Sequence, residues 1–334
     1  MKRKKKRSKP RKRIPRIGIG LCLIGLLLAL AYYLFDLGPL PWKQPSLPAG
    51  RAIENTIELQ IALARSGFSP GSIDGAMGSQ TRQALLAFQD SRDLPATGEW
   101  SPSLDEHLRI EEPIYAYMEL TSAALAKLTP APSSWRERGE LPQLGYHSIL
   151  EMVAEKSSSH PDFIRSLNPQ LNWATLGPGD HILAPLVPPY RIKQKIDEIQ
   201  IHLQARQLQA FDSFGNLIFH CPVSIAREVE KRPVGELQVT VRVENPNYTF
   251  NPSILTTAAA REGIANKFII QPGPNNPVGT VWLGLNLPSY GIHGTPSPEK
   301  VGRTESSGCF RLANWNAETL LAATEVGTPV FVLP

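Results

Sequence analysis

Apolar and polar positions change their period along this 334-residue chain, and each change predicts a different kind of element. Residues 17–35 form an uncharged run, IGIGLCLIGLLLALAYYLF, whose nineteen residues nearly span a hydrocarbon core of about 30 Å at about 1.5 Å per residue. That run predicts a membrane helix. Over residues 53–110 apolar side chains recur at spacings of three and four, with Ile57, Ile61 and Ala64 followed by Ala84, Leu85 and Phe88. Two helices around a Gly-rich turn follow from this pattern. From Lys193 onward the alternation has period two, beginning with IQIHLQARQLQAFDSFGNLIFHCPVSIA, in which residues 212–216 read as a hairpin turn. Further strands are predicted over 280–287, 290–293 and 329–332, with one short helix over 316–323. A mostly β domain at 193–334 results, long enough for one buried core.

Proline-rich stretches at 36–52 and a second irregular segment at 111–143 read as linkers. Residues 1–16 hold eleven Lys or Arg and no acid, which leaves 24 bases against 30 acids in the rest. The excess positive charge is thus confined to a short tail, whereas a nucleic-acid binder carries it on a folded surface that meets phosphate. Nucleic acid is not expected as a partner. A basic tail ahead of an uncharged run predicts a single pass through the cytoplasmic membrane, with the later domains in the extracytoplasmic space. Ala29-Leu30-Ala31 keeps a cleaved signal peptide open as the alternative. Only Cys221 and Cys309 stand outside the uncharged run, too few for a disulfide scaffold. No CxxC pair or HExxH helix occurs, so neither a metal nor another cofactor is expected.

Candidate chemistry concentrates in Tyr290-Gly291-Ile292-His293-Gly294-Thr295 and Ser306-Ser307-Gly308-Cys309-Phe310-Arg311. A thiol with pKa near 8.5 needs a neighbouring base or positive charge, and a histidine supplies either. Cys309 is the expected nucleophile and His293 its base. The small residues before Cys309 permit close approach to a carbonyl, and their N–H groups are candidates for an oxyanion site. Cys221, inside an alternating strand, reads as core packing.

These motifs, with Pro233-Val234-Gly235 and Asn276-Pro277-Val278-Gly279, resemble the L,D-transpeptidase catalytic domain over 199–334. The resemblance implies a β-sandwich with a short helix, and a Cys309 thioester formed on peptidoglycan tetrapeptide stems and resolved by an amine into a 3→3 cross-link. It also implies that Cys309 is acylated by a carbapenem, that the Gly294 carbonyl orients His293, and that Ser306, Ser307, Gly308, Tyr290 and Arg311 form the oxyanion and substrate contacts. Many members carry His where this chain has Ser307. A same-fold carboxypeptidase, a protein-to-wall transferase and an inert wall-binding protein remain as alternatives.

Upstream, Leu59-Gln60, Gly67, Asp74-Gly75, Gly78, Thr81, Ala84, Phe88-Gln89 and Gly98 resemble the small three-helix peptidoglycan-binding domain over 53–110. Asp74-Gly75 and Gly78 would form its turn and Ser79 would cap the next helix. Residues 144–187 resemble a βααβ LysM module, with Tyr146 opening the first strand and Ile182-Leu183 in the last. Peptidoglycan, through both its glycan and its peptide stems, is the implied partner.

Overall fold

The computed structural model describes residues 50–306 and 308–334. Its helical periodicity becomes α1 (Thr56–Arg65) and α2 (Ser79–Asp90). Asn55 opens α1 by accepting the Glu58 N–H at 3.0 Å, which satisfies one of the donors that a helix start leaves unpaired. Helix α2 starts from Gly78 with no side-chain cap, so Ser79 is its first residue and not the cap expected of it. Buried Gln60 ties the intervening turn: its Nε2 donates to Asp74 Oδ1 at 2.9 Å and to Thr81 Oγ1 at 3.0 Å, and its Oε1 accepts the Gly75 N–H at 2.9 Å. Leu59, Ile61, Leu85 and Phe88 meet Leu104 of a 3₁₀ turn, Pro102–Glu106, in one small core.

The next stretch departs from expectation. It forms β1 (Tyr115–Glu119), α3 (Ser122–Leu125), α4 (Trp135–Glu140), α5 (Ile149–Lys156), α6 (Pro161–Leu167) and β2 (His181–Pro185). The strand that pairs with β2 is β1, antiparallel with Tyr115 opposite Pro185, and it comes from the segment read as a linker. Tyr146 lies in no strand; its hydroxyl donates to Glu155 at 3.3 Å. The LysM reading is therefore not supported. A five-residue strand is defined by the partner it finds more than by its own pattern, and here that partner lies more than sixty residues downstream.

The C-terminal part contains β3 (Glu198–His202), β4 (Gln207–Phe211), β5 (Leu217–Pro222), β6 (Gly235–Glu244), β7 (Tyr248–Phe250), α7 (Thr256–Glu262), β8 (Phe268–Ile270), β9 (Val281–Leu285), β10 (Gly291–His293), β11 (Phe310–Arg311), α8 (Asn314–Ala323) and β12 (Pro329–Leu333). Between β4 and β5 the predicted turn is present, with Asp212 Oδ1 accepting the N–H groups of Phe214 and Asn216. Eight strands make one sheet in the order β11-β10-β9-β6-β12-β3-β4-β5, while β7 and β8 pair separately. Ile199, Leu208, Phe219, Val239, Leu283, Ile292, Phe310 and Val330, drawn from along the whole sheet, join Ala317 and Leu320 of α8 in a single core. That shared core corrects the expected sandwich: one curled sheet wraps around one helix.

Strand β5 is buried along its whole length because the helical domain covers its other side. The Ser69 N–H donates to the His220 carbonyl at 2.8 Å, and the His220 N–H returns a bond to Gly67 at 3.0 Å. Gln80 Nε2 reaches the Val301 carbonyl at 2.6 Å and Asn316 Nδ2 reaches Ser69 Oγ at 3.0 Å. The helical domain is thus bonded directly onto the sheet.

The single-pass membrane placement is corrected. A spanning helix needs about 20 apolar residues, yet the longest among the described residues is α2 with 12, and none is long and apolar enough to cross a membrane. The run 17–35, like the basic tail 1–16, lies outside the described residues.

Candidate active site

Strands β10 and β11 run parallel, with Ile292 opposite Phe310 and His293 opposite Arg311. Ile292 and Phe310 point into the core. Because side chains alternate, His293, Arg311 and Cys309, the residue just before β11, share the opposite face. Strand spacing and rise put the Cα atoms of Cys309 and His293 about 8 Å apart along a diagonal of that face.

His293 is held by two contacts. Its Nδ1 lies 2.6 Å from the Gly294 carbonyl oxygen. A carbonyl only accepts, so Nδ1 carries the proton and Nε2 keeps its lone pair. The Trp282 ring stacks on the imidazole with centroids 5.7 Å apart and planes 25° apart. Burial pushes the His293 pKa down to about 4; the Gly294 bond opposes this, and the Arg311 cation adds to it. At neutral pH the ring is an uncharged base.

The Cys309 thiol donates to the Ser289 carbonyl at 3.4 Å. Burial pushes its pKa up, against the weaker opposing pull of the Gly291 N–H and of Arg311. The resting site is therefore a thiol on the same face as a neutral imidazole, and not the stored thiolate that the residue types alone imply. A thiolate on Cys309 also raises the Tyr248 phenol, though burial does so more.

The loop before Cys309 is closed by its own residues. Ser306 Oγ donates to the Cys309 carbonyl at 2.6 Å and accepts the Gly308 N–H at 3.2 Å, so these two expected oxyanion groups bond within the loop. Arg311 Nη2 donates to the Glu305 carbonyl, and the Glu305 carboxylate sits between Arg206 at 3.2 Å and Arg227 at 3.3 Å. Arg311 thus holds the loop. Tyr290 donates its hydroxyl to the Lys231 carbonyl at 3.0 Å, and its ring stands 4.0 Å from where a Gly308 Cβ would lie. Ser307 falls outside the described residues.

Two groups at this site escape sequence reasoning. Trp282 is one residue of an alternating strand and nothing local marks it as the ring under His293. Asn314, at the start of α8, accepts the Thr295 N–H at 3.0 Å and the Thr280 N–H at 3.2 Å through Oδ1, pinning the segment after His293. Cys221 behaves as expected of a core residue: it is fully buried on β5, far along the sheet order from β11, and burial drives its thiol strongly upward.

A curled sheet with a histidine on β10 and a cysteine just before the parallel strand β11 can be compared with known domain families. Residues 196–332 match the L,D-transpeptidase catalytic domain family, and residues 53–106 match the peptidoglycan binding domain family. The protein thus carries an L,D-transpeptidase catalytic domain preceded by a peptidoglycan binding domain. It is 26% identical over 190 residues to a Bacillus licheniformis protein named L,D-transpeptidase YkuD, covering 55% of this chain and 93% of the relative. A Fuscovulum blasticum protein, named as an L,D-transpeptidase in the ATP synthase subunits region, is 35% identical over 116 residues, which are 35% of this chain and 57% of its own length. Among solved structures, the L,D-transpeptidase of Xylanimonas cellulosilytica aligns with 85% of this chain and 95% of its own, at 15% identity and a TM-score of 0.34.

Proposed function

We propose that this protein is an L,D-transpeptidase acting on peptidoglycan tetrapeptide stems through a Cys309 thioester, and that it forms 3→3 cross-links. The observation that carries this reading is the His293 tautomer. With Nδ1–H given to Gly294, the lone pair at Nε2 is the one position of the ring able to take a proton. In the first step the Cys309 sulfur attacks the carbonyl after the third stem residue while Nε2 takes the thiol proton. The carbon–nitrogen bond then breaks, His293 returns the proton to the departing amine, and terminal D-alanine leaves. In the second step an amine of another stem, such as the diaminopimelate side chain, attacks the thioester. It gives its proton to Nε2, the carbon–sulfur bond breaks, and the thiol is regenerated as His293 returns that proton.

Generating the thiolate only during attack fits a site where both partners rest uncharged. Tyr290, whose ring stands beside the Cys309 loop, and Ser307, two residues before Cys309 in the sequence, are proposed to contact the stem. The peptidoglycan binding domain raises the local concentration of stems. Mass analysis of disaccharide-tetrapeptides incubated with the purified protein tests the reading. Dimers lighter by one alanine are the expected product. Monomers that only exchange alanine for water, or no change at all, overturn the cross-linking assignment.

A further inference from the structure

Glu155 lies on α5, outside the matched catalytic domain, yet its side chain reaches Asn314, which pins the segment after His293. Its Oε1 accepts the Asn314 Nδ2–H at 3.0 Å. Asn314 uses the other end of its amide, Oδ1, to accept the Thr295 N–H at 3.0 Å. That N–H and the Gly294 carbonyl belong to one peptide unit, and the Gly294 carbonyl accepts the proton of His293 Nδ1 at 2.6 Å. A continuous chain of donors and acceptors thus runs from His293 through the Gly294–Thr295 peptide and the Asn314 amide to a carboxyl. Every link has a fixed direction. Asn314 Nδ2 faces only acceptors, Glu155 and the Pro274 carbonyl at 3.3 Å, while Oδ1 faces two backbone N–H groups, so the amide cannot be reversed without breaking several bonds.

We propose that Glu155 is a positioning residue for His293, acting through Asn314 and the Gly294–Thr295 peptide as a carboxyl displaced from the imidazole by two hydrogen-bonded groups. This inference rests on His293 being the base of the proposed reaction. Hydrogen bonds in series polarise one another, so an anionic Glu155 strengthens the Asn314 amide as an acceptor, then the Gly294 carbonyl, and finally the basicity of Nε2. A directly bonded carboxylate does this for histidine in other acyl-transfer enzymes; here a different module of the chain supplies it.

The carboxyl is set to change charge in the working range. It is nearly inaccessible, and burial pushes its pKa up to about 8. The groups facing it are Asn314 and Tyr146, whose hydrogen bonds favour the ionised form, and Glu318 on α8 and Glu151 on its own helix, whose negative charges oppose it. His293 should therefore sense a proton leaving Glu155 as pH rises through about 8.

The test is an NMR titration of the His293 Nδ1–H resonance in the full-length protein, alone and as Glu155→Gln and Glu318→Gln. Glutamine keeps an oxygen for Asn314 but cannot ionise. Wild type should show an inflection near pH 8 that is absent in Glu155→Gln and moved to lower pH in Glu318→Gln, where a repelling charge is gone. Glu155→Gln should also lower kcat about fivefold above pH 8 with KM unchanged, as when a charge-assisted hydrogen bond becomes a neutral one. A wild-type resonance without inflection, or one that persists unchanged in Glu155→Gln, overturns the proposal. Because the resonance reports on His293 whether or not stems are cross-linked, this failure is distinct from failure of the transpeptidase reading.

Discussion

His293 gives its Nδ1 proton to the carbonyl of the very next residue, Gly294, at 2.6 Å, and Trp282 covers the face of the same ring. Burial there lowers the folded pKa of His293 to about 4, so the ring stays neutral well below the usual histidine range. The acid limb of kcat/KM on a soluble tetrapeptide should therefore fall near pH 4. Initial rates between pH 3.5 and 7 measure it, and an acid limb near 6.5 would show that the imidazole is not shielded as described.

Gly294 has no room for a side chain. A Cβ there would overlap Asn314 Oδ1 and stand 3.1 Å from the Thr280 N–H, the groups that pin the loop. Gly294→Ala should keep the far-ultraviolet spectrum and lose about a hundredfold in kcat, since roughly 1 Å of misplacement is enough for that. Gly78→Ala is the control, because nothing lies within 4 Å of its added carbon and its φ of −80° suits any residue. Equal effects from both substitutions would remove the steric argument.

The two described cysteines should separate cleanly. Cys309→Ser should fold and lose turnover, because a hydroxyl is far less acidic than a thiol and a single neutral imidazole does not compensate. Cys221→Ser should retain activity at some loss of stability, since it places a hydroxyl in an apolar core. Intact-mass measurement after carbapenem treatment should show one adduct on wild type and on Cys221→Ser, and none on Cys309→Ser. An adduct that survives on Cys309→Ser takes this residue out of the mechanism.

Residues 53–187 contribute no nucleophile, which favours treating them as a detachable wall anchor. The structure argues otherwise for stability. Their removal would strip the bonds to His220, Val301 and Asn316, and take Glu155 from Asn314. A protein comprising only 193–334 should therefore melt at lower temperature than the full chain and bind more of a hydrophobic dye. Unchanged melting would show that the modules merely touch.

Much of this protein is legible in its residues because the governing physics is local. The helices at 56–65 and 79–90 follow from a period of three and four, and the Asp212 turn from a side chain that bonds N–H groups two and four residues on. His293, Gly294 and Cys309 stand out because a histidine and a cysteine occur with small residues in short motifs. Three features required the folded chain. Strand β1 hides in an apparent linker because its partner, β2, is distant in sequence. The sheet curls into one body because side chains from its whole width meet on α8. Glu155 reaches Asn314 across 159 positions. A hydrogen bond over that separation leaves no periodicity, spacing or turn chemistry in the sequence, and exists only once packing has brought its two ends within 3.0 Å.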